Sequence, residues 1–112
     1  MKRGNYITLI IILIIVAFSG WILLRNHNPS NGELAKCIGE NSRLYVQLGC
    51  IACKHQEDLF GENYKYINAI DCFYERDKCI QLGIEATPTW IIKGNKIEGV
   101  QTIKKLKELT GC

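Results

Sequence analysis

Residues 49–55, Gly-Cys-Ile-Ala-Cys-Lys-His, place two cysteines where an apolar run ends and a helical pattern begins. The preceding run, residues 44–48, is typical of a buried strand, and residues 54–60 have the spacing of a helix. The pair therefore lies at a strand-to-helix turn. The unpaired N–H groups and positive dipole at the start of a helix favour a thiolate over a thiol. Cys50 and Cys53 are thus a candidate redox pair, close enough to form a reducible disulfide.

A Cys-x-x-Cys motif has two other common interpretations, half of a zinc site and a small structural disulfide. With Cys72 and Cys79 the spacing is x2, x18 and x6. Its first half approaches a zinc ribbon, but the last gap is too wide for the usual second knuckle. A zinc- or copper-binding cysteine domain therefore remains as the competing class. We assign no metal ligand and expect no cofactor.

An uncharged apolar segment, residues 6–24, precedes the rest of the chain. As a helix its 19 residues would span about 28 Å, enough to cross a bilayer. Small residues at 17–19 could suit signal cleavage, but the apolar run continues through 21–24, which favours an uncleaved anchor. Lys2 and Arg3 before the segment, against Arg25 after it, weakly favour a cytoplasmic N-terminus. We expect a single-pass protein of the cell membrane with its remaining residues on the extracytoplasmic side.

The charge and cysteine content of residues 26–112 agree with that location. Their 11 Lys and Arg, the total of 14 minus the three near the anchor, balance all 11 Asp and Glu. This neutral balance gives no indication of a nucleic-acid partner. All six cysteines lie between residues 37 and 112, a density that suits an oxidising compartment.

The order of predicted elements indicates an α/β fold, a mixed sheet covered by helices on both faces. We predict a membrane anchor at 1–25, a polar linker at 26–32 and one domain at 33–112. Within the domain the pattern predicts helices at 33–41, from about 50 to about 61, at 79–82 and at 102–109, and strands at 43–48, 64–70, 90–92 and 97–100.

Two segments give the domain a resemblance to the thioredoxin superfamily. They are residues 45–53, a strand followed by Cys-x-x-Cys, and residues 83–89, Gly-Ile-Glu-Ala-Thr-Pro-Thr, with a spacing of 35 residues from Cys53 to Pro88. More narrowly, the domain resembles the thioredoxin-like domain that accompanies vitamin K epoxide reductase homologues. That likeness rests on residues 34–36, 57–61, 88–90 and 109–111 and on the Cys72 and Cys79 pair.

The superfamily resemblance implies thiol–disulfide exchange with the thiols and disulfides of proteins. Cys50 would be the nucleophile and Cys53 the resolving cysteine. Pro88 would be the family's cis-proline, and the backbone of Thr87 would bind an extended substrate segment. The narrower resemblance implies a membrane quinone-coupled oxidoreductase as a partner.

The chain departs from its relatives at two places. Ile51 and Ala52 stand where those domains commonly have Pro and His, which predicts a less oxidising pair and leaves a reductive, thioredoxin-like donor as an alternative. Leu44 stands where thioredoxin has a buried Asp, so proton transfer must use another group, water or Glu57.

The other four cysteines are predicted to form structural disulfides, Cys72 with Cys79 and Cys37 with Cys112. Six cysteines allow 15 pairings, so this assignment is a hypothesis. A second hypothesis makes Cys72 and Cys79 a relay that passes electrons to or from Cys50 and Cys53. A redox-inert interaction domain is the remaining class.

Overall fold

The structure, a computed structural model, describes residues 2–25 and 30–112. The first described segment is one helix, α1, Lys2–Arg25. Its apolar side chains are exposed along its length, and residues 3–24 are long and apolar enough to cross a membrane. Most of the predicted linker, residues 26–29, lies outside the described residues. The next helix, α2, begins at Asn31, so the last two predicted linker residues are helical.

A four-stranded mixed sheet lies at the centre of residues 30–112. Its strands are β1 Arg43–Val46, β2 Ala69–Asp71, β3 Thr89–Ile92 and β4 Asn95–Glu98, in the order β2-β1-β3-β4. Strand β2 is parallel to β1, whereas β3 is antiparallel to both β1 and β4. The helices are α2 Asn31–Glu40, α3 Ile51–Phe60, a 3-10 helix Gly61–Tyr66, α4 Arg76–Gln81 and α5 Ile103–Thr110. The predicted mixed α/β sheet with flanking helices is confirmed.

The core is built where the central strands meet the helices. Leu44 of β1 pairs with Trp90 of β3, and both side chains are fully buried. Ile38 of α2 and Leu106 of α5 are buried in the same cluster. The central strands are therefore held in place by apolar contacts from helices at both ends of the chain.

The predicted strand at 64–70 is wrong in its first half. Residues 64–66 belong to the 3-10 helix, and β2 begins only at Ala69. Tyr64 and Ile67 are three residues apart, the period of a 3-10 helix, and Ile67 is buried while Tyr64 packs against the Phe60 ring. The aromatic residues indicated a strand, but their packing against the end of α3 favours the tighter helix.

Smaller differences occur at other element ends, and local hydrogen bonds explain several of them. Ser30 caps α2 with a capping box that includes Glu33, so the helix starts earlier than predicted. Lys93 and Gly94 both have positive φ, as a two-residue hairpin turn requires, which lets β4 begin at Asn95. Helix α4 begins at Arg76, three residues before the predicted start.

Helix α2 approaches the 3-10 helix so closely that position 39 must be glycine. A Cβ on the buried Gly39 would overlap the backbone carbonyl of Tyr66. Gly32 of the same helix has only ordinary van der Waals neighbours, at 3.6 Å and beyond. The backbones of α2 and the 3-10 helix are thus in direct contact. A larger residue at position 39 could not be accommodated by rotation of a neighbouring side chain.

We expect Gly39→Ala to lower the free energy of unfolding by about 1–3 kcal/mol, because the backbone must shift to admit the methyl group. Denaturant unfolding of the full chain in a membrane mimetic measures it. Gly32→Ala is the matched control and should be neutral or slightly stabilising, since alanine favours a helix. Equal stability of the two variants would contradict the close contact.

Candidate active site

The cysteine pair lies at the start of α3, as the sequence predicts. Cys50 is the N-cap residue, and its sulfur accepts a hydrogen bond from the backbone N–H of Cys53 at 3.1 Å. The two cysteines form a disulfide. Cys53 is 7% exposed, whereas Cys50 is only partly buried. An incoming thiolate can therefore reach Cys50 more easily than Cys53.

The Thr87–Pro88 segment faces the same sulfur. The Thr87 hydroxyl oxygen and its carbonyl oxygen each lie 3.5 Å from the Cys50 sulfur. The hydroxyl donates to the sulfur in the disulfide form, and a Cys50 thiol could donate to the carbonyl in the reduced form. The peptide bond between Thr87 and Pro88 is cis. The structure thus brings together all four residues of the predicted catalytic and substrate-binding set.

A groove of about 260 Å³ opens beside the disulfide. It is lined by both cysteines and by Lys54, Glu57, Tyr64, Asp71 and residues 46–49. Leu44, which stands where thioredoxin has a buried Asp, is itself fully buried. Glu57 and Asp71 are the carboxylates of this lining, and Glu57 follows Cys53 by four residues on one face of α3. Glu57, which the sequence left as an alternative to water for proton transfer, therefore shares the groove with the buried cysteine.

Tyr64 is half-buried between these carboxylates. Burial raises the pKa of its phenol, and the negative charges of Glu57 and Asp71 raise it further. The phenol therefore keeps its proton to a higher pH than an ordinary tyrosine does.

The second disulfide joins Cys72 to Cys79 in the segment that follows β2. It lies at the same end of the sheet as the Cys50–Cys53 disulfide, which follows the parallel neighbour β1. Asp71 joins the two loops, because its carboxylate accepts from the N–H of Leu48 at 3.2 Å and from that of Phe73 at 2.8 Å. The third disulfide, Cys37 to Cys112, ties α2 to the last residue of the chain. These are the three pairs that the sequence hypothesis names, and their roles as staples or relay stay predictions.

The residues between the active-site cysteines form an apolar surface. Ile51 is 87% exposed and Leu48, just before the pair, is 60% exposed. Neither can act as a hydrogen-bond partner for a sulfur. The hydrogen bonds to the Cys50 sulfur come instead from Cys53 N–H and the Thr87 hydroxyl.

The competing metal-site interpretation requires free thiolates at the cysteines. All six cysteines are paired, and a disulfide sulfur has no thiolate to offer a metal. Among residues 2–25 and 30–112, no group of three or more His, Cys, Asp or Glu is placed to hold a metal ion.

Sequence reasoning missed Gln56. This residue is fully buried on α3, three residues after Cys53, and makes three hydrogen bonds to Trp90 and Gln101. The sequence gives only a weak indication of this role, because Gln56 is a polar residue on the helix face that also carries Cys53 and Phe60.

The fold and the site together define a mixed α/β domain with a disulfide-bonded Cys-x-x-Cys pair at a helix start, facing a cis-proline segment. Over 94 residues the chain is 32% identical to the thiol-disulfide oxidoreductase LTO1 of Arabidopsis thaliana, an alignment that covers 75% of this chain and 25% of that protein. The chain therefore spans about a quarter of the length of this curated relative. No family model matches the chain.

Among solved structures, the chain is similar to the N-terminal domain of the alkylhydroperoxide reductase AhpF of Enterococcus faecalis. The identity is 20% and the TM-score 0.49, over 73% of this chain and 45% of that one.

We expect Glu57→Gln to lower the pKa of Tyr64 but to leave it above the ordinary tyrosine value. The substitution removes one negative charge, whereas burial, the larger cause, remains. NMR titration of the ¹³C-labelled tyrosine rings measures the pKa. Asp58→Asn, on the solvent side of the same helix, is the control and should leave it unchanged. A Tyr64 pKa that is the same in both variants would contradict the shared groove.

Proposed function

We propose that this chain is a membrane-tethered, extracytoplasmic thiol–disulfide oxidoreductase that exchanges its Cys50–Cys53 disulfide with protein thiols. One observation carries the proposal: the partly exposed Cys50 sulfur sits at the start of α3, with Cys53 N–H at 3.1 Å and Thr87 at 3.5 Å. A helix start and two hydrogen-bond donors stabilise a thiolate, which is the leaving group and nucleophile of exchange. Homology to a thiol-disulfide oxidoreductase supports the same chemistry.

Oxidation of a substrate dithiol proceeds in two displacements. A substrate thiolate attacks the Cys50 sulfur, which forms a mixed disulfide and releases Cys53 as a thiolate that takes up a proton. The second substrate thiolate then attacks the substrate sulfur of the mixed disulfide, so the substrate leaves oxidised and Cys50 leaves as a thiolate. Two electrons pass to the cysteine pair, and the reverse sequence reduces a substrate disulfide.

The Thr87–Pro88 segment is the proposed docking site for the substrate backbone. It lies just before β3, whose ladder with β1 begins at Thr89, and it faces Cys50. An extended substrate segment can pair with the Thr87 backbone as an added strand and present its cysteine to Cys50. The exposed apolar side chains of Leu48 and Ile51 would contact the same segment.

The proposed tether is α1, with the N-terminus in the cytoplasm and residues 30–112 outside. Its length and composition fit a bilayer, and Arg3 precedes the apolar stretch. A second membrane protein, quinone-coupled and of the vitamin K epoxide reductase type, is the proposed partner that reoxidises Cys50 and Cys53. This partner rests on the narrower sequence resemblance. In this scheme Cys72–Cys79 and Cys37–Cys112 brace the domain.

A reductive role is the second candidate, and the residues between the cysteines favour it. Ile51 is 87% exposed and Ala52 has no polar group, so neither stabilises the Cys50 thiolate as a His would. Less thiolate stabilisation makes the disulfide a weaker oxidant.

The two directions predict different equilibrium potentials for the Cys50–Cys53 couple. With fewer stabilising contacts than a Pro-His motif supplies, we expect a potential between those of thioredoxin and of strong periplasmic oxidants, about −270 and −120 mV respectively. Equilibration of the full chain with glutathione buffers, followed by mass analysis of Cys50 and Cys53, measures it. A potential at the thioredoxin end would overturn the oxidative assignment and support the reductive one.

We expect Cys53→Ala to accumulate mixed disulfides between Cys50 and substrate proteins, because the resolving thiol is gone. Non-reducing gels of the full chain, followed by peptide mass spectrometry, detect the adducts. Cys50→Ala is the matched control and should trap far less, since Cys53 is buried. Failure of Cys53→Ala to form any mixed disulfide, even with glutathione disulfide, would overturn the exchange function and favour a redox-inert domain.

A further inference from the structure

The buried Gln56 side chain links three segments of the fold that are not adjacent in the sequence. Its side-chain oxygen accepts from the Trp90 indole N–H at 3.0 Å and from the Gln101 backbone N–H at 2.7 Å. Its side-chain N–H donates to the Gln101 carbonyl at 2.9 Å. Gln56 thus connects the helix that carries Cys53 to strand β3 and to the segment before α5.

A hydrogen-bonded path continues from Gln101 to the other side of the active site. The Gln101 side chain donates to the carbonyl of Gly99 at 3.3 Å, and the N–H of Gly99 donates to the carbonyl of Pro88 at 2.8 Å. The residue before Pro88 is Thr87, whose hydroxyl donates to the Cys50 sulfur. Together with Trp90, which follows Pro88 by two residues, this path holds the carboxyl-terminal end of the Thr87–Pro88 segment.

The backbone of α3 and these hydrogen bonds together form a closed ring of connections that begins and ends at Cys50. From Cys50 the ring follows α3 to Gln56, crosses by hydrogen bonds to Gln101 and Pro88, and returns through Thr87 to the sulfur. A fully buried amide is costly unless all its groups are paired, and here the oxygen and the N–H both have backbone partners. An apolar residue would fill the same space in the core without making this connection.

We propose that Gln56 is a positioning residue that holds the Thr87 hydroxyl against Cys50 and so sets how strongly the site stabilises the Cys50 thiolate. The inference rests on the proposed exchange function, because a thiolate at Cys50 matters only if that sulfur reacts. Gln56 touches neither cysteine sulfur nor substrate and acts through Thr87.

Gln56→Met tests the proposal, since it keeps the length of an unbranched side chain and removes all three hydrogen bonds. In the selectively reduced protein, we expect alkylation of Cys50 below its pH midpoint to be about three- to tenfold slower than in wild type. This is the effect of losing one hydrogen bond of ordinary strength, since the Thr87 hydroxyl is displaced and not removed. The equilibrium constant with glutathione should shift by a similar factor toward a less oxidising pair. The charged neighbours of the groove, Lys54, Glu57 and Asp71, and the Tyr64 phenol are unchanged in this variant.

Thr110→Ala is the control for a loss of stability alone. It removes a buried hydrogen bond of 2.7 Å to Leu106 at the far end of α5 and should leave both Cys50 readouts at wild-type values.

Thr87→Val completes a double-mutant cycle. If Gln56 acts through the Thr87 hydroxyl, Gln56→Met adds less than twofold to the effect of Thr87→Val on Cys50 alkylation.

Gln56→Glu keeps the proposal testable if Gln56→Met does not fold. A protonated carboxyl can donate to the Gln101 carbonyl as the amide does, whereas an ionised one cannot. Because burial raises the pKa of a carboxyl, the ratio of variant to wild-type glutathione equilibrium constants should approach one as the pH falls and depart from it as the pH rises.

The outcomes separate this inference from the proposed function. The positioning role would be overturned if Gln56→Met, and Gln56→Glu at every pH, kept the Cys50 alkylation midpoint and the glutathione equilibrium constant within twofold of wild type. Gln56 would then be a purely structural residue. Absence of mixed disulfides in Cys53→Ala would overturn the exchange function itself, whatever the Gln56 variants show.

Discussion

The approach of Thr87 to the Cys50 sulfur, at 3.5 Å, is the contact on which the proposed exchange chemistry depends. The two residues lie 37 positions apart, so only the tertiary fold brings them together. Cys53 N–H gives the sulfur one donor from its own helix, and that contact would form in any Cys-x-x-Cys helix start. The second donor requires α3, β3 and the segment before α5 to keep fixed relative positions. The core of Leu44, Trp90 and Leu106 and the buried Gln56 maintain those positions.

The site gathers at one edge of the sheet for a topological reason. Strands β1 and β2 are parallel, so the loops that follow them emerge side by side, and these loops carry Cys50 and Cys72. Asp71 then links the two loops through backbone N–H groups of Leu48 and Phe73. Both disulfides and the groove with Glu57 and Tyr64 therefore belong to one surface. Any protein that docks on Cys50 meets this surface as well as the apolar side chains of Leu48 and Ile51.

The small size of the domain agrees with the predicted structural role of the Cys37–Cys112 and Cys72–Cys79 disulfides. Residues 30–112 enclose one compact core cluster, and a domain of this size buries a limited apolar area. The Cys37–Cys112 bridge closes most of the domain, with a sequence separation of 75, and so removes much entropy from the unfolded chain. Close backbone packing, as at Gly39 against Tyr66, adds rigidity that side chains alone would not provide. In the proposed function, such a braced scaffold would let the Cys50–Cys53 disulfide open and close without loss of the fold.

The sequence by itself determined the elements whose cause is local: the apolar helix, the cysteine pair at a helix start, the hairpin at Lys93-Gly94 and the alternation that implies a mixed α/β sheet. Period, capping and turn chemistry act within a few residues, so a linear pattern can carry them. The 3-10 helix at 61–66 and the buried network of Gln56 were decided only by the tertiary structure. Contacts between elements decide both, because Gly39 of α2 meets the Tyr66 backbone of the 3-10 helix and the Gln56 amide pairs with the Gln101 backbone. Residues so far apart in the chain leave no linear pattern for such contacts.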